Sequence, residues 1–437
     1  MKITSYIDAI KELDTYNRYG EVTRIVGLMI ESVGPVANIG DVCYIHPKKG
    51  IKIMAEVVGF NDNHVILMPY SQITNIGPGS LVEATDRPLT IKVGEGLVGN
   101  VIDALGQPLN MANLPVGLVN MNTERTPPNP LQRPRILEPI ELGVKTIDAM
   151  LTVGKGQRIG IFAGSGVGKS TLLGMIARNS EADVNVIALI GERGREVREF
   201  IEKDLGEEGL KRSIVVVATS DQPALMRIKG AYTATAISEY FRDLGYNVNL
   251  MMDSVTRVAM AQREVGLATG EPPTTKGYPP SVFAILPKLL ERTGTSDKGT
   301  ITAFYTVLVD GDDLNDPIAD ATRGILDGHF VLDRKLAEQG QFPALNVLKS
   351  ISRVMPQIVD EHARKLAMEM RAHLSIYEEN YELIQIGAYK KGTNPAVDQA
   401  IQLHSKIINF LRQDIDEKCS RQEALALMEQ VLYGGAN

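Results

Sequence analysis

The segment Ala163–Thr171, which reads AGSGVGKST, constrains the fold of this chain more than any other. An apolar stretch, Arg158–Phe162, leads into it, and a helical pattern follows whose first residues are Lys169, Ser170 and Thr171. A strand, a glycine-rich turn and a helix in this order form the phosphate-binding loop of P-loop proteins. The sequence therefore predicts an α/β fold built around this loop.

Each part of the loop has its own chemistry. The glycines let backbone N–H groups converge on anionic oxygens, and the helix N-terminus adds a favourable dipole. Lys169 supplies a positive charge for the β- and γ-phosphates of ATP, and the Ser170 hydroxyl is placed to bind Mg²⁺. Ala163 stands where the pattern has its first glycine, but it closes the strand and need not touch phosphate. The predicted nucleotide-binding residues of the loop are Ala163, Gly164, Ser165, Gly166, Val167, Gly168, Lys169, Ser170 and Thr171.

Composition restricts the class of protein. The 437 residues suffice for two or three domains, and 44% hydrophobic with 23% charged residues is typical of a globular protein. We find no apolar run long enough to span a bilayer and no secretory leader, so we expect a cytoplasmic protein. Cys43, Cys419 and six scattered histidines show no metal-ligand spacing. A net charge of -7 argues against a broad nucleic-acid surface.

The chain divides into four predicted parts. Within Met1–Asp14, the side chains of Ile3, Ile7 and Ile10 share one face of an amphipathic helix. A helix this short needs a partner surface, either in its own chain or on a docking protein. The predicted parts are residues 1–20 as the N-terminal helix, 21–88 as a β-barrel, 89–355 as the ATP-binding domain and 356–437 as a C-terminal helical domain.

Two strand patterns support this division. Short apolar runs separated by turn signals predict a small closed or nearly closed barrel. They are Val22–Ile30, Asp41–Ile45, Ile51–Phe60, His64–Tyr70 and Leu81–Ala84. Farther on, unbroken apolar runs alternate with helical lengths, as in a mostly parallel sheet covered on both faces. These runs are Ile159–Ala163, Asn185–Ile190, Ser213–Ala218, Val248–Met252 and Ile301–Val309, and helical patterns dominate after about Met355.

Two carboxylates follow strands of this predicted sheet. Asp253 ends the run that begins at Asn247, a position from which it can hold the Mg²⁺ shell. Glu192 follows the run 184–190 and can orient and polarise the water that attacks the γ-phosphate. Because the carboxyl ends of parallel strands meet at one edge of a sheet, we expect both residues beside the P-loop.

Longer motifs resemble a known family. Phe342–Asn346 followed by Ser350–Arg353 is similar to the signature of the catalytic and nucleotide-binding subunits of rotary ATP synthases. The stretches GERGREVREF, GYPPSVFAILPKLLERTG and VLVDGDDLNDPIADATRGILDGH resemble the flagellar protein-export ATPases, which are type III secretion ATPases. The resemblance implies a RecA-like P-loop core with an N-terminal β-barrel and a C-terminal helical domain. It also implies a homohexameric ring that hydrolyses Mg-ATP at its subunit interfaces and energises or assists export of flagellar proteins across the cytoplasmic membrane.

The same resemblance assigns roles to single residues. Lys169 and Asp253 match the two nucleotide motifs, and Glu192 resembles the catalytic glutamate, with Arg193 beside it. Arg353 resembles the arginine finger that one subunit inserts into the site of its neighbour.

An aromatic residue is implied for the adenine base. Phe342 matches the position that packs on adenine, where a Phe keeps the stacking face and loses the hydroxyl of the more common Tyr. Phe410 is a second candidate for this pocket, although the second aromatic position of the synthase pattern falls near Ile415.

Partners follow from the resemblance as well. The N-terminal helix would dock on a peripheral stalk protein that links the ring to the export gate. The acidic turn Asp312–Pro317, with the loop Gly270–Ser281 near it, would line the pore and contact a central coiled-coil stalk protein. Residues 310–316 fail as a calcium loop, because Leu314 stands where a ligand is needed and Asn315 where glycine is needed. Exported substrates with their chaperones, a peripheral position at the cytoplasmic face of the inner membrane and no nucleic-acid partner complete the expectation.

Other functions remain open. The sequence distinguishes a virulence-type secretion ATPase from a flagellar one only by its resemblance to the flagellar proteins. A rotary synthase subunit is disfavoured because Tyr389–Asn394, at the place of the acidic loop of the synthase β subunit, is not acidic. A ring-shaped RNA translocase would need more basic and aromatic residues on the barrel. A non-catalytic nucleotide-binding partner is disfavoured by the joint presence of Lys169, Glu192, Asp253 and Arg353.

Overall fold

The computed structural model describes residues 18–309, 313 and 315–434. The predicted helix Met1–Asp14 lies outside the described residues, as do positions 310–312 and 314 of the acidic turn. Along the described chain, a barrel, a central α/β sheet and a group of helices follow one another. The predicted fold class is confirmed.

Six antiparallel strands close into a barrel in the order β1-β2-β5-β4-β3-β6. The strands are β1 Tyr19–Val26, β2 Met29–Val33, β3 Asp41–His46, β4 Ile53–Asn61, β5 His64–Pro69 and β6 Leu81–Pro88. Buried apolar side chains such as Ile30, Ile45 and Leu67 fill the interior. Because the sheet closes on itself, each strand is paired along both sides.

The prediction of one continuous run at Val22–Ile30 is wrong. The structure divides it into β1 and β2, which form a hairpin with Val26 opposite Met29. Gly27 in the connection has a φ of 58°, in the left-handed region that glycine adopts without strain. The two-residue connection suits a tight hairpin turn.

A nine-stranded sheet forms the centre of the molecule, in the order β19-β18-β12-β17-β15-β13-β14-β8 with β16 also paired to β17. Its pairings are parallel except for β16 with β17 and β18 with β19. Two further strand pairs, β7 with β9 and β10 with β11, stand apart from it. The strands are β7 Thr90–Val93, β8 Val101–Asp103, β9 Val119–Asn122, β10 Pro139–Ile140, β11 Val153–Gly154, β12 Arg158–Ala163, β13 Val184–Ile190, β14 Ser213–Ala218, β15 Asn247–Asp253, β16 Gly294–Thr295, β17 Thr300–Leu308, β18 Gly328–Leu332 and β19 Ile351–Ser352.

Both faces of this sheet are covered. All seven residues of β13 are buried, so its sequence shows no alternation of polar and apolar residues. Its side chains nevertheless alternate between two cores, with Val186 and Ala188 in one and Ile187 and Leu189 in the other. Helices on the two sides complete these cores and place the carboxyl ends of the parallel strands along one edge.

Helices precede, cover and follow the sheet. They are α1 Lys145–Met150, α2 Lys169–Asn179, α3 Gly194–Glu199, α4 Gly206–Lys211, α5 Ala224–Asp243, α6 Val255–Ala268, α7 Pro280–Leu290, α8 Pro317–Ile325, α9 Arg334–Glu338, α10 Met355–Ile358, α11 Glu361–Gln385, α12 Pro395–Leu411 and α13 Arg421–Tyr433. A π-helical turn, Phe200–Leu205, joins α3 to α4. The last three helices pack on one another and on α1, and Ser420 and Glu423 form a capping box at the start of α13.

A buried charge cluster joins the barrel to the central sheet. Lys229 of α5 is 2% exposed, and its Nζ lies 2.7 Å from Glu56 Oε2 of the barrel and 2.5 Å from Glu124 Oε1. The Tyr70 hydroxyl donates a hydrogen bond to the same oxygen of Glu56. Burial raises the pKa of Glu56, and the nearby Lys229 counteracts that rise.

Candidate active site

The predicted P-loop connects the middle of the sheet to a helix. Strand β12 lies between β17 and β18 and ends at Ala163, and α2 begins at Lys169. Gly166 and Gly168 have φ values of 76° and 88°. A side chain would be strained in this left-handed region, so these two positions explain why the turn is rich in glycine.

A cavity of about 690 Å³ opens beside this turn. The predicted residues that line it are Ala163, Gly164, Ser165, Gly166, Gly168, Lys169, Ser170, Thr171, Glu192, Arg193 and Asp253. Val167 is 2% exposed and belongs to the core under the turn rather than to the lining. Phe342 and Arg353 are not among the lining residues either.

The two carboxylates meet Lys169 at the sheet edge. Strands β13 and β15 are neighbours, with Leu189 opposite Asp253, so Glu192 follows the end of one strand and Asp253 ends the other. Lys169 Nζ lies 2.5 Å from Asp253 Oδ1 and 3.6 Å from Glu192 Oε1. Asp253 Oδ1 also accepts a hydrogen bond from the Thr306 hydroxyl at 2.8 Å. The three side chains form one charged cluster beside the P-loop.

Burial and charge perturb the titration of this cluster. Burial acts to lower the pKa of Lys169, but Asp253 and Glu192 outweigh it and hold that pKa above its ordinary value. Lys169 therefore stays positive at neutral pH. Burial and the negative charge of Asp253 raise the pKa of Glu192 to about 7, against the opposing effect of Lys169. A carboxyl group with such a pKa is suited to accept a proton near neutral pH.

The residues present fit a magnesium nucleotide. The hydroxyl of Ser170 and the carboxylate of Asp253 both face the cavity and are hard oxygen ligands of the kind that Mg²⁺ prefers. Among the described residues, no group of three or more His, Cys, Asp or Glu side chains forms a metal cage. In the usual Mg²⁺ site of such loops, phosphate oxygens and water complete the shell.

Arg257 is a cavity residue that the sequence analysis missed. It lies in the first turn of α6, four residues after Asp253, and it lines the cavity. Its Nε is buried without a hydrogen-bond partner, and its charge acts to lower the pKa of Glu192. Gly191 makes room for it, since a Cβ there would lie 2.8 Å from Arg257 Cβ. The signal available in the sequence was the position of an arginine one helical turn after the strand-end carboxylate.

The two predicted arginines, Arg193 and Arg353, lie in different surroundings. The Arg193 side chain is 77% exposed at the rim of the cavity and lies 3.1 Å from Glu196 Oε1. Arg353 follows β19 and is exposed, and its Nη2 donates to the carbonyl of Arg323 at 3.4 Å. Arg353 therefore faces solvent instead of the cavity of its own chain.

Phe342 lies on the outer side of the P-loop turn. A Cβ placed on Gly168 would be 3.7 Å from Phe342 Cδ1, and Phe342 is 47% exposed. Phe410 is only 5% exposed and packs in the core beneath the C-terminal helices. The structure does not bring Phe410 to the cavity, and Ile415, which is 50% exposed, stands at the position of the second synthase aromatic.

The acidic turn and the loop predicted to lie near it do meet. Lys276 Nζ lies 3.6 Å from Asp316 Oδ2 and 3.9 Å from Asp313 Oδ2. All three side chains are partly exposed. In the part of the chain that the structure describes, no helix has the length and apolar character needed to cross a membrane.

Three family descriptions match successive parts of the chain. Residues 22–86 match the beta-barrel domain of the ATP synthase alpha/beta family, and residues 143–352 match its nucleotide-binding domain. Residues 359–430 match the T3SS EscN ATPase C-terminal domain.

Relatives extend this similarity over nearly the whole chain. The flagellum-specific ATP synthase of Bacillus subtilis (strain 168) is 65% identical over 430 residues, which cover 98% of each chain. The type 3 secretion system ATPase of Xanthomonas euvesicatoria is 48% identical over 415 residues, covering 95% of this chain and 94% of the relative. The structure of the assembled ATPase EscN from the enteropathogenic E. coli type III secretion system matches with a TM-score of 0.88 and 45% identity, over 94% of this chain and 100% of that chain. A structure of assembled EscN in complex with its central stalk EscO matches with the same TM-score of 0.88.

Proposed function

This chain belongs to the family of flagellum-specific ATP synthases and type III secretion ATPases, and we propose that it forms a hexameric ring that hydrolyses Mg-ATP at its subunit interfaces. As a member of this family it is an ATPase. The proposed ring energises or assists the export of flagellar proteins across the cytoplasmic membrane. The 65% identity to a flagellum-specific relative favours flagellar over virulence-associated export.

The observation on which the catalytic proposal rests is the cluster of Lys169, Glu192 and Asp253. A P-loop lysine within 4 Å of two carboxylates, at the carboxyl edge of a parallel sheet, brings together a phosphate ligand, a metal ligand and a base. A purely structural salt bridge would not need the adjoining cavity of about 690 Å³.

In the proposed site, Lys169 and the backbone N–H groups from Gly164 to Thr171 bind the phosphates. Ser170 and Asp253 hold Mg²⁺, with Thr306 orienting the Asp253 carboxylate through its hydrogen bond. Bound Mg²⁺ supplies neutralisation of the charge on the phosphate oxygens. On nucleotide binding, Lys169 exchanges part of its contact with Asp253 and Glu192 for phosphate, which leaves both carboxylates available.

Glu192 is the proposed catalytic base. It orients the attacking water and accepts its proton, and its raised pKa of about 7 makes it a stronger base than an ordinary carboxylate. Arg257 supplies a positive charge on the same side of the cavity, and its unpartnered Nε is free to donate to an oxygen there. Arg193 flanks the cavity rim.

Arg353 is the proposed arginine finger, acting on the site of the neighbouring subunit. Its exposure and its position outside its own cavity support action in trans. Phe342 is the proposed stacking surface for the adenine base, because its half-exposed ring lies next to the P-loop turn.

The proposed partners follow the relatives and the charges. EscN is described in complex with a central stalk, and the turn with Asp313 and Asp316 is the proposed contact for a central coiled-coil stalk in this protein. The N-terminal segment is the proposed contact for a peripheral stalk protein that links the ring to the export gate. Exported substrates with their chaperones, and a peripheral position at the cytoplasmic face of the inner membrane, complete this proposal. No nucleic-acid partner is proposed.

Replacement of Glu192 by Gln tests the catalytic assignment. Gln keeps the size and the hydrogen-bonding oxygen but cannot accept the proton, so we expect turnover to fall by about two orders of magnitude or more. Binding of Mg-ADP, measured by calorimetry, should persist, whereas Lys169→Ala should weaken it. Glu202→Gln, the same substitution on the exposed face of the π-helical turn, is the matched control. Near-normal turnover of the Glu192→Gln protein would remove Glu192 from this role.

A further inference from the structure

Gln413 lies in the loop between α12 and α13 and is only 6% exposed. Its side-chain Oε1 accepts a hydrogen bond from the backbone N–H of Lys145 at 2.8 Å. Its Nε2 donates to the carbonyl oxygens of Gly143 at 2.8 Å and Glu417 at 2.9 Å. One amide group thus ties the loop after α12 both to itself and to the segment that precedes α1.

The backbone of the same residue reaches Phe342. The Gln413 N–H donates to the Phe342 carbonyl at 2.9 Å. Pro343 follows Phe342 and has no N–H of its own, so at this peptide the backbone can be held only through the Phe342 carbonyl. A displacement of Gln413 would therefore shift the backbone that holds the Phe342 ring beside Gly168.

The far ends of the Gln413 bonds are fixed relative to the P-loop helix. The Gly143 N–H donates to the buried carboxylate of Asp148 at 2.8 Å, and this bond ties the segment before α1 to α1 itself. Gly143 has a φ of 71°, and a Cβ there would lie 2.4 Å from Asn179 Cβ, so the segment packs tightly on the last residue of α2. The chain of contacts runs from the end of α2 through Gly143 and Gln413 to Phe342, and from there back to the start of α2.

We propose that Gln413 is a positioning residue for the nucleotide base, holding Phe342 where its ring can stack on adenine. The inference rests on the proposed function, which assigns the stacking role to Phe342. Only an amide supplies the one acceptor and two donors that this place uses: a carboxylate would face two carbonyl oxygens without a proton to donate, and an apolar side chain would leave all three backbone groups unpaired. Through Gln413, the C-terminal helices hold part of the base site.

Calorimetric titration of the full chain with Mg-ADP and with Mg-pyrophosphate tests this. Pyrophosphate has no base, so a residue that acts through Phe342 should affect ADP binding alone. For Gln413→Ala we expect the Kd for ADP to rise roughly three- to tenfold, and for Phe342→Ala roughly tenfold, with pyrophosphate unchanged. Gln413→Asn, which keeps both functions of the amide with a shorter reach, should give a smaller rise and serves where the alanine variant does not fold.

Thr146→Val is the matched control. It removes a hydrogen bond from Thr146 Oγ1 to the Leu411 carbonyl, which joins the same two regions of the chain at 3.3 Å without contacting Phe342. We expect no change in the Kd for either ligand. If Gln413→Ala weakens both ligands equally, or if Thr146→Val has the same effect, Gln413 is only a structural link and the inference is wrong.

The Phe342 variant distinguishes the stacking role of Phe342 from the positioning role of Gln413. If Phe342→Ala weakens ADP binding and the Gln413 variants do not, the positioning inference fails and the stacking proposal stands. If Phe342→Ala leaves ADP binding unchanged, the stacking proposal fails and the inference fails with it.

Discussion

Subunit mixing tests the proposed position of Arg353 in a neighbour's site. The two variants are Lys169→Ala, which lacks the phosphate ligand, and Arg353→Ala, which lacks the proposed finger. The only hydrogen bond that the structure gives the Arg353 guanidinium, among the described residues, is the long one to the Arg323 carbonyl at 3.4 Å. Arg353→Ala should therefore change the free energy of unfolding by no more than about 0.5 kcal/mol, and a loss of activity would come from the site.

The expected recovery follows from the geometry. Lys169 lines the cavity of its own chain and Arg353 does not, so a complete site needs Lys169 from one subunit and Arg353 from the next. In an equal mixture that assembles at random, half of the sites have an intact Lys169 and half of those have an intact neighbour, so about one quarter of sites are complete. Each variant alone should show almost no hydrolysis, and the mixture about a quarter of the wild-type phosphate release.

Wild-type protein mixed with the double variant is the decisive control. If Arg353 acts in trans, about one quarter of the sites in this mixture are complete as well; if it acts within its own chain, about half are. Phosphate release at constant total protein distinguishes these values, once crosslinking has shown that the rings contain both kinds of subunit. A failure of the single-variant mixture to recover, together with half activity in the control, would refute action in trans.

Three more outcomes are expected. The kcat/KM for ATP reports the free enzyme and requires the ionised carboxylate of Glu192, whose pKa is about 7. This kcat/KM should therefore rise about fivefold from pH 6 to pH 7 and less than twofold from pH 7 to pH 8. A flat pH profile in the wild type, or the same rise in Glu192→Gln, would contradict this. Replacing Asp313 and Asp316 with Asn should leave basal hydrolysis intact but weaken stimulation by a central stalk protein and its salt dependence; unchanged stimulation would make these acids an ordinary solvated turn. Ser420→Ala should lower the free energy of unfolding by about 1 kcal/mol through loss of the α13 cap, measured by denaturant titration, whereas Ser405→Ala on the exposed face of α12 should not lower it.

The sequence predicted the features that depend on local order and strand direction. The glycine turn ends with a helix at Lys169, because the loop pattern itself fixes where the helix must start. Glu192 and Asp253 were expected at one sheet edge from the parallel arrangement of their strands, and the structure brings both to Lys169. Their catalytic roles stay a prediction, as do the domain limits at residues 20, 88 and 355.

Three features were not predicted, one because its local pattern is ambiguous and two because they depend on contacts distant in sequence. The hairpin turn at Gly27 was not recognised within the apolar run Val22–Ile30, because a single glycine in a strand pattern also fits a bulge or a close backbone approach. Phe410 was a second candidate for the adenine pocket, although the second aromatic position of the synthase pattern falls near Ile415, and the packing of the three C-terminal helices buries it in the core. Gln413 gave no signal, since its partners Lys145 and Gly143 lie about 270 residues away along the chain.

The buried joint between Lys229, Glu56 and Glu124 limits how freely this protein can be recombined with its relatives. In a chimera whose foreign barrel has no acid at the place of Glu56, Lys229 would lose one of these two carboxylate partners and keep only Glu124. One that loses Lys229 would leave the buried carboxylate of Glu56 without the cation that pairs with it, at a cost of about 3–5 kcal/mol. The barrel is therefore exchangeable only together with its charge partners on α5 and on the segment around Glu124. In laboratory recombination, as in evolution, these three positions should be inherited as a unit even though 173 residues separate the first from the last.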